Sequence, residues 1–306
     1  MRPPGWLPRV SERRPAGSAS DIAAVLSDVS RRLGASGIEQ PRLEARRLLA
    51  HVLGREPGEL IGSSKEIMPP DAEQHLETLV SRREHREPLA FIQGRQGFWT
   101  LDLEVSRETL IPRADSEALI EAACVLELGP HPRVLDLGTG TGCLLLAVLS
   151  EYPGAFGVGV DLARGAAACA RRNAKAHDLE ARSAFFSGNW GDALAGLFDL
   201  VISNPPYIET ASIPALMPEV VQHEPWSALD GGRDGLNAYR RIMEHLLRLL
   251  RSGGFAILEL GQGQRSAVEA LATGAGLHVQ GCHADLGGHE RALILKKPFG
   301  AGSPQG

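Results

Sequence analysis

Four consecutive residues, Asn204-Pro205-Pro206-Tyr207, follow the apolar run D-L-V-I-S and suit chemistry on a nitrogen. The nitrogen of an amide or an exocyclic amine is a poor nucleophile, because its lone pair is delocalised into a planar group. If the Asn204 side-chain oxygen and the Pro205 carbonyl each accept one N–H, that nitrogen is held in line for attack and its electron density rises. Pro205 and Pro206 fix the backbone for this geometry, and the Tyr207 ring can stack on the planar group. No strong base is needed, since the alkylated nitrogen is cationic and its proton leaves readily to water. The reaction this favours is methyl transfer to nitrogen. Asn204, Pro205 and Tyr207 are its candidate catalytic residues, and all four residues are candidates for holding the acceptor. The competing reading is a proline turn with an Asn cap.

A donor site is written upstream. In D-L-G-T-G-T-G, Asp136 to Gly142, the glycines at 138, 140 and 142 allow a tight turn and close approach of a ligand, and the helix that follows offers free N–H groups. A dinucleotide fingerprint would need Gly at 143, where this chain has Cys143. The spacing instead resembles that of class I methyltransferases, which bind S-adenosylmethionine. Asp161 closes the run G-V-G-V-D, where a carboxylate can accept both ribose hydroxyls or cap the next helix.

The surrounding pattern supplies the elements. From 134 to 260, short apolar strands alternate with helices, which predicts a parallel sheet covered on both faces. Helix 264–273 then leads to strands 277–281 and 291–295, an antiparallel hairpin closing that sheet. Residues 97–106 alternate as a hairpin, and a helix runs from Asp115 to about Leu128. Upstream, Ser20 or Asp21 caps a helix with Ile22, Val25, Leu26, Val29 and Leu33 on one face, ended by Gly34. A second helix from Pro41 carries Leu43, Leu48, Leu49, Val52 and Leu53, and a third opens at Pro69 and Pro70. The divisions are a disordered lead-in at 1–18, a helical domain at 19–86, a hairpin linker at 87–108, the main domain at 109–297 and a loose tail at 298–306. The lead-in, Arg-rich with one acid, Glu12, also has the composition of an organelle transit peptide.

Residues 1–96 hold 15 Lys and Arg against 13 acids, and residues 97–306 hold 17 against 24, so the main body is acidic. That argues against direct binding of duplex nucleic acid, which draws its affinity from basic surface. With no apolar run long enough to span a bilayer and no secretory signal, a cytoplasmic protein without membrane contact is expected. Cys124, Cys143, Cys169 and Cys282 lie too far apart for a zinc ribbon or a disulfide framework, and are expected as buried thiols. No metal site is expected.

Over about residues 20–296 the chain resembles the HemK/PrmC group of N5-glutamine methyltransferases. The resemblance rests on R-R-E-H-R-E-P-L-A-F-I-Q-G at 82–94, F-W-T-L at 98–101, L-I-P-R-A-D-S-E at 110–117, the Gly-rich loop, N-P-P-Y-I, and A-L-D-G-G-R-D-G-L at 228–236. It implies a class I, Rossmann-like α/β methyltransferase domain with seven strands behind a small N-terminal helical domain. It also implies methylation, by S-adenosylmethionine, of the glutamine in the Gly-Gly-Gln motif of class 1 peptide chain release factors. S-adenosylhomocysteine would be the other product. By the same resemblance, Gly138, Thr139, Gly140, Thr141, Gly142, Asp161, Trp190 and Asn204 contact the cofactor, Trp190 flanking the adenine unless it is a core aromatic. Ala114 and Ser116 replace a proline and a threonine of the group's usual I-P-R-P-D-T-E. Arg113 and Glu117 keep its charges, at the cofactor site or as a surface ion pair. L-D-G-G-R-D-G-L reads as a lid-side loop or an ordinary Gly turn. Two other acceptors fit the N-P-P-Y chemistry: a ribosomal-protein glutamine, and the N6 amine of adenine in DNA. The second would also call for base flipping and a basic groove.

Overall fold

The computed structural model describes residues 20–299, so the expected lead-in and nearly all of the expected tail lie outside the described residues. The chain divides into two compact units at Leu89 and Ala90.

The first unit is helical. Helix α1 (Ile22–Ala35) is capped by Asp21, whose carboxylate accepts the Ala24 N–H at 2.7 Å, and it buries Ile22, Val25, Val29 and Leu33. It runs through Gly34 and ends at Ser36, one residue ahead of the left-handed Gly37. Helix α2 (Pro41–Leu53) starts at its proline as expected and buries Leu48 and Leu49 together with Ala45 and Ala50; Val52 and Leu53 are half-buried, and of the expected stripe Leu43 alone is exposed. Small alanines let α1 approach closely, which a stripe counted from large residues alone overlooks. Helix α3 (Pro70–Glu84) buries Leu76, Leu79, Val80 and Arg83, the last paired with Glu44 of α2 at 2.5 Å.

A one-turn helix, α4 (Leu89–Gln93), leads to the hairpin β1 (Arg95–Phe98) and β2 (Leu101–Glu104), paired antiparallel. Helix α5 spans only Glu117–Cys124, so the chain leaves helix sooner than the apolar pattern to Leu128 suggested. That places Cys124 at an exposed end. The expectation of four buried thiols fails there, and only Cys169 is fully buried. The alternation that follows is β3 (Arg133–Leu137), α6 (Cys143–Glu151), β4 (Phe156–Asp161), α7 (Arg164–Ala176), β5 (Ser183–Ser187) and β6 (Phe198–Ser203). After a short helix, α8 (Pro218–His223), come α9 (Asn237–Leu249), β7 (Leu250–Glu259), α10 (Arg265–Gly274), β8 (His278–Ala284) and β9 (Glu290–Lys296).

The seven strands order as β5-β4-β3-β6-β7-β9-β8. The first five are parallel, and β9 enters antiparallel between β7 and β8. Strand β7 begins at Leu250, and its register shifts before Phe255, where the extra residues around Gly253 and Gly254 ride as a bulge. Helix α6 buries every residue from Leu144 to Leu149, as a helix covered on all sides must. Each such leucine contributes roughly 1.5–3 kcal/mol. The reward for that burial is a rigid base for the loops at the carboxyl ends of the strands.

Candidate active site

Those loops enclose a cavity of about 360 Å³ at the carboxyl ends of β3, β4 and β6. This is where an open α/β sheet reverses its winding and binds ligands. The volume suits a nucleoside-sized molecule. Gly138, Thr139, Gly140 and Thr141 form one wall, with Gly138 and Gly140 at positive φ. Thr139 reaches down to the fully buried Asp136 at 2.6 Å, and burial pushes that carboxyl up to about 7. The Thr141 hydroxyl is buried at this wall without a hydrogen-bond partner, a polar atom a ligand can satisfy. Gly142 lies outside the wall. It precedes α6, and a side chain there would press Ala170 of α7 at 3.1 Å.

Asp161 also faces the cavity. Its two oxygens accept the Gly140 N–H at 2.8 Å and the Ala163 N–H at 2.9 Å, so it ties the Gly-rich loop to the turn before α7, a helix that starts after Ala163 without a side-chain cap. Each oxygen keeps a lone pair for a ribose hydroxyl. Burial pushes this carboxyl up as well, against the pull of those N–H groups. Leu162, 70% exposed, and Trp190 flank the same space, a pair of apolar surfaces fitted to a flat ring. Trp190 lines the cavity and, half-buried, packs against the core cluster that includes Val160.

Asn204 stands at the far side of this cavity and also borders a second one of about 180 Å³, walled by Tyr207, Leu216, Val220 and Leu229. Pro206 faces the first cavity and Tyr207 the second, while Pro205 is buried and lines neither. Asn204 donates to Ser116 Oγ at 3.1 Å, and Ser116 donates to Glu259 Oε2 at 2.5 Å. Tyr207 donates its hydroxyl to the other oxygen of Glu259 at 3.2 Å. Burial pushes the Glu259 carboxyl up to about 7, with Ser116, Arg291 and Tyr207 pulling it back. The Tyr207 phenol is raised by burial and by the neighbouring charge of Glu259.

Arg113 and Glu117 make no pair with each other. Arg113 lines both cavities and pairs with the buried Glu224, which also accepts the Ile111 N–H at 3.1 Å. Glu117 accepts the Trp99 N–H at 2.8 Å and so secures the β1–β2 turn. Of the segment at 228–236, Ala228 lines both cavities and Leu229 the second, while residues 230–236 line neither. These pack behind the motif instead: Ile208 and Asp230 form a bridge, and a side chain at Gly235 would lie 2.4 Å from the Tyr207 carbonyl. The segment's start borders the second cavity and its end braces the motif, because Gly235 is spent on approaching the backbone of Tyr207.

Sequence reasoning missed Glu108, Thr109, Leu110 and Pro112 in the first wall, and Glu224, Glu259 and Asn173 behind it. Asn173, buried in α7, donates to the Thr141 and Glu104 carbonyls at 2.9 and 3.0 Å, fastening the Gly-rich loop to the hairpin. A signal was available for Glu259, an acid ending a strand at the same sheet edge as Asp161.

Two family models match the chain, the PrmC N-terminal domain over residues 24–94 and the methyltransferase small domain over residues 115–254. A release factor glutamine methyltransferase of Rhodospirillum rubrum is 45% identical over 92% of this chain and 86% of its own. One of Bradyrhizobium diazoefficiens is 40% identical over 95% of this chain and 98% of its own. Among solved structures, a methyltransferase from Pyrococcus furiosus shares the fold, with a TM-score of 0.51 at 18% identity over 66% of this chain and 92% of that one.

Proposed function

The chain belongs to the release factor glutamine methyltransferase family, and from that premise we propose that it methylates the side-chain amide nitrogen of the glutamine in the Gly-Gly-Gln motif of a class 1 peptide chain release factor. S-adenosylmethionine, when bound, supplies an electrophilic sulfonium methyl. Gly138, Thr139, Gly140, Thr141, Asp161 and Trp190 hold it in the larger cavity, with Asp161 on the ribose and Trp190 on the adenine. Gly142 acts one step back, by letting α6 start against α7. The glutamine amide enters the smaller cavity beside Tyr207.

The observation that carries this reading is that Asn204 forms part of the wall of both cavities. A side-chain oxygen at that partition can accept an N–H from a planar amide on one side while the amide nitrogen faces the donor on the other. Tyr207 stacks on the amide plane, while Pro205, buried and lining neither cavity, fixes the backbone between Asn204 and Tyr207. The proton released as the nitrogen is alkylated passes to water. Residues 20–89 we assign to docking of the protein substrate, since the cofactor motifs all fall in the second unit. Among the described residues no helix is long and apolar enough to cross a membrane.

The test is mass spectrometry of a purified class 1 release factor incubated with this protein and S-adenosylmethionine, beside a copy whose Gly-Gly-Gln glutamine is Ala. One added methyl on that glutamine, absent from the Ala copy, is expected. An unmodified glutamine with methyl transfer to a ribosomal protein or to adenine would overturn the assignment.

A further inference from the structure

An asparagine side chain is nearly symmetric in shape, and only its oxygen end can accept an N–H. Something must therefore decide which end of Asn204 faces the substrate. Ser116 begins this decision: its hydroxyl has a single proton, and the ionised Glu259 carboxylate takes it on Oε2 at 2.5 Å. Its oxygen is left as an acceptor only. The group facing it at 3.1 Å, on Asn204, must then be the NH₂ end, and the carbonyl end is turned the other way. With the Glu259 carboxylate ionised, proton counting settles this orientation, without any need to tell nitrogen from oxygen by position.

Ser116 and Glu259 are 2% and 1% exposed, so water does not compete for either. The residues come from separate parts of the second unit: Asn204 just beyond β6, Glu259 at the end of the neighbouring β7, Ser116 at the turn into α5. Glu259 Oε1 also takes the Tyr207 hydroxyl, so one carboxylate fixes both polar members of the motif.

We propose that Glu259 and Ser116 are positioning residues for methyl transfer, acting by locking Asn204 with its carbonyl oxygen towards the substrate amide. The proposal rests on Asn204 accepting an N–H from that amide. A hydroxyl at 116 is what the lock requires, so threonine serves as well as serine and alanine does not. Without the lock, Asn204 is free to present NH₂ to the amide, a donor against a donor.

The experiment is a double-mutant cycle, read as kcat, KM for release factor, cofactor dissociation constant and melting temperature. Ser116→Ala and Glu259→Leu are made singly and together with Asn204→Ala, and Ser116→Thr serves as the rescue. Ser116→Ala is expected to lower kcat by roughly 10- to 100-fold, the scale of a lost orienting hydrogen bond, with cofactor affinity unchanged. Ser116→Thr restores turnover. In the Asn204→Ala background, Ser116→Ala costs nothing further, because there is no longer an amide to orient. Equal losses in both backgrounds, or full turnover by Ser116→Ala, would overturn the proposal. If Glu259→Leu does not fold, the Ser116 arms decide. Failure of the functional reading is distinct, because the parent enzyme itself would then leave the release factor unmethylated.

Discussion

At the scale of single residues, the site depends on a short run of partnered polar groups, Asn204, Ser116, Glu259 and Tyr207. Asn204→Ala removes the acceptor at the partition between the cavities and is expected to lower kcat by about 10²–10³, the range seen when one preorganised polar contact to a reacting group is lost. Cofactor affinity should fall far less than turnover, since Asn204 is one wall contact among several and the Gly-rich loop and Asp161 are untouched; turnover by mass spectrometry beside calorimetric titration reads both, and near-normal turnover would refute the role. Asp136 gives a second prediction. Burial pushes its carboxyl up to about 7, whereas in the unfolded chain it titrates near about 3.9. Between those values the folded state keeps a proton that the unfolded chain has released. Its contribution to stability is therefore complete below about pH 4 and is lost as pH rises to about 7. Asp136→Asn keeps an oxygen for Thr139 without the charge, so the fall in stability from about pH 5 to about pH 8 should shrink. Glu259, raised in the same way, remains, so the slope should not vanish. Urea unfolding at both pH values measures it, and equal slopes in parent and variant would count against the account.

At the scale of elements, the brace behind the motif is as consequential as the motif. Gly235 has φ +71°, and a methyl group there would lie 2.4 Å from the Tyr207 carbonyl. Gly235→Ala must therefore move the segment that carries Tyr207. A kcat about tenfold lower is expected, with cofactor binding retained, since an ångström of misplacement is costly in an oriented site. Parent-like kinetics would mean the brace gives way at no cost. These elements also mark what was legible in the chain. The Gly-rich loop and N-P-P-Y stand out because their chemistry fixes residue types at short spacing, and β3 to β6 because apolar strands and helices alternate cleanly. Ser116 and Glu259 lie 143 residues apart, and their hydrogen bond exists only once α5 and β7 are packed. The turn at 210–215 and helix α8 were invisible for another reason: both are built around prolines, Pro214 and Pro218, and show no apolar period. Leu43 and Cys124 misled because exposure is settled by neighbours, which a local pattern does not include.

At the scale of the whole molecule, the cofactor motifs and both cavities belong to residues 90–306. A fragment comprising that unit should fold and bind S-adenosylmethionine, yet methylate intact release factor poorly, which calorimetry and the mass assay together decide. Loss of cofactor binding in a folded fragment would remove the docking role assigned to residues 20–89. The placement of β9 has a further consequence, in the order of synthesis. This strand comes after β7 and β8 in the chain yet lies between them in the sheet. Until residues 290–296 have emerged from the ribosome, Ala256, Ile257 and Leu258 form an unpaired apolar edge, and β8 has no neighbour to join. The sheet closes by insertion, a non-local step that is slow by its topology. A chain abandoned before that step carries an open strand that invites pairing with another copy of itself. Completion of this enzyme's own translation is thus what separates a folded catalyst from a seed for aggregation.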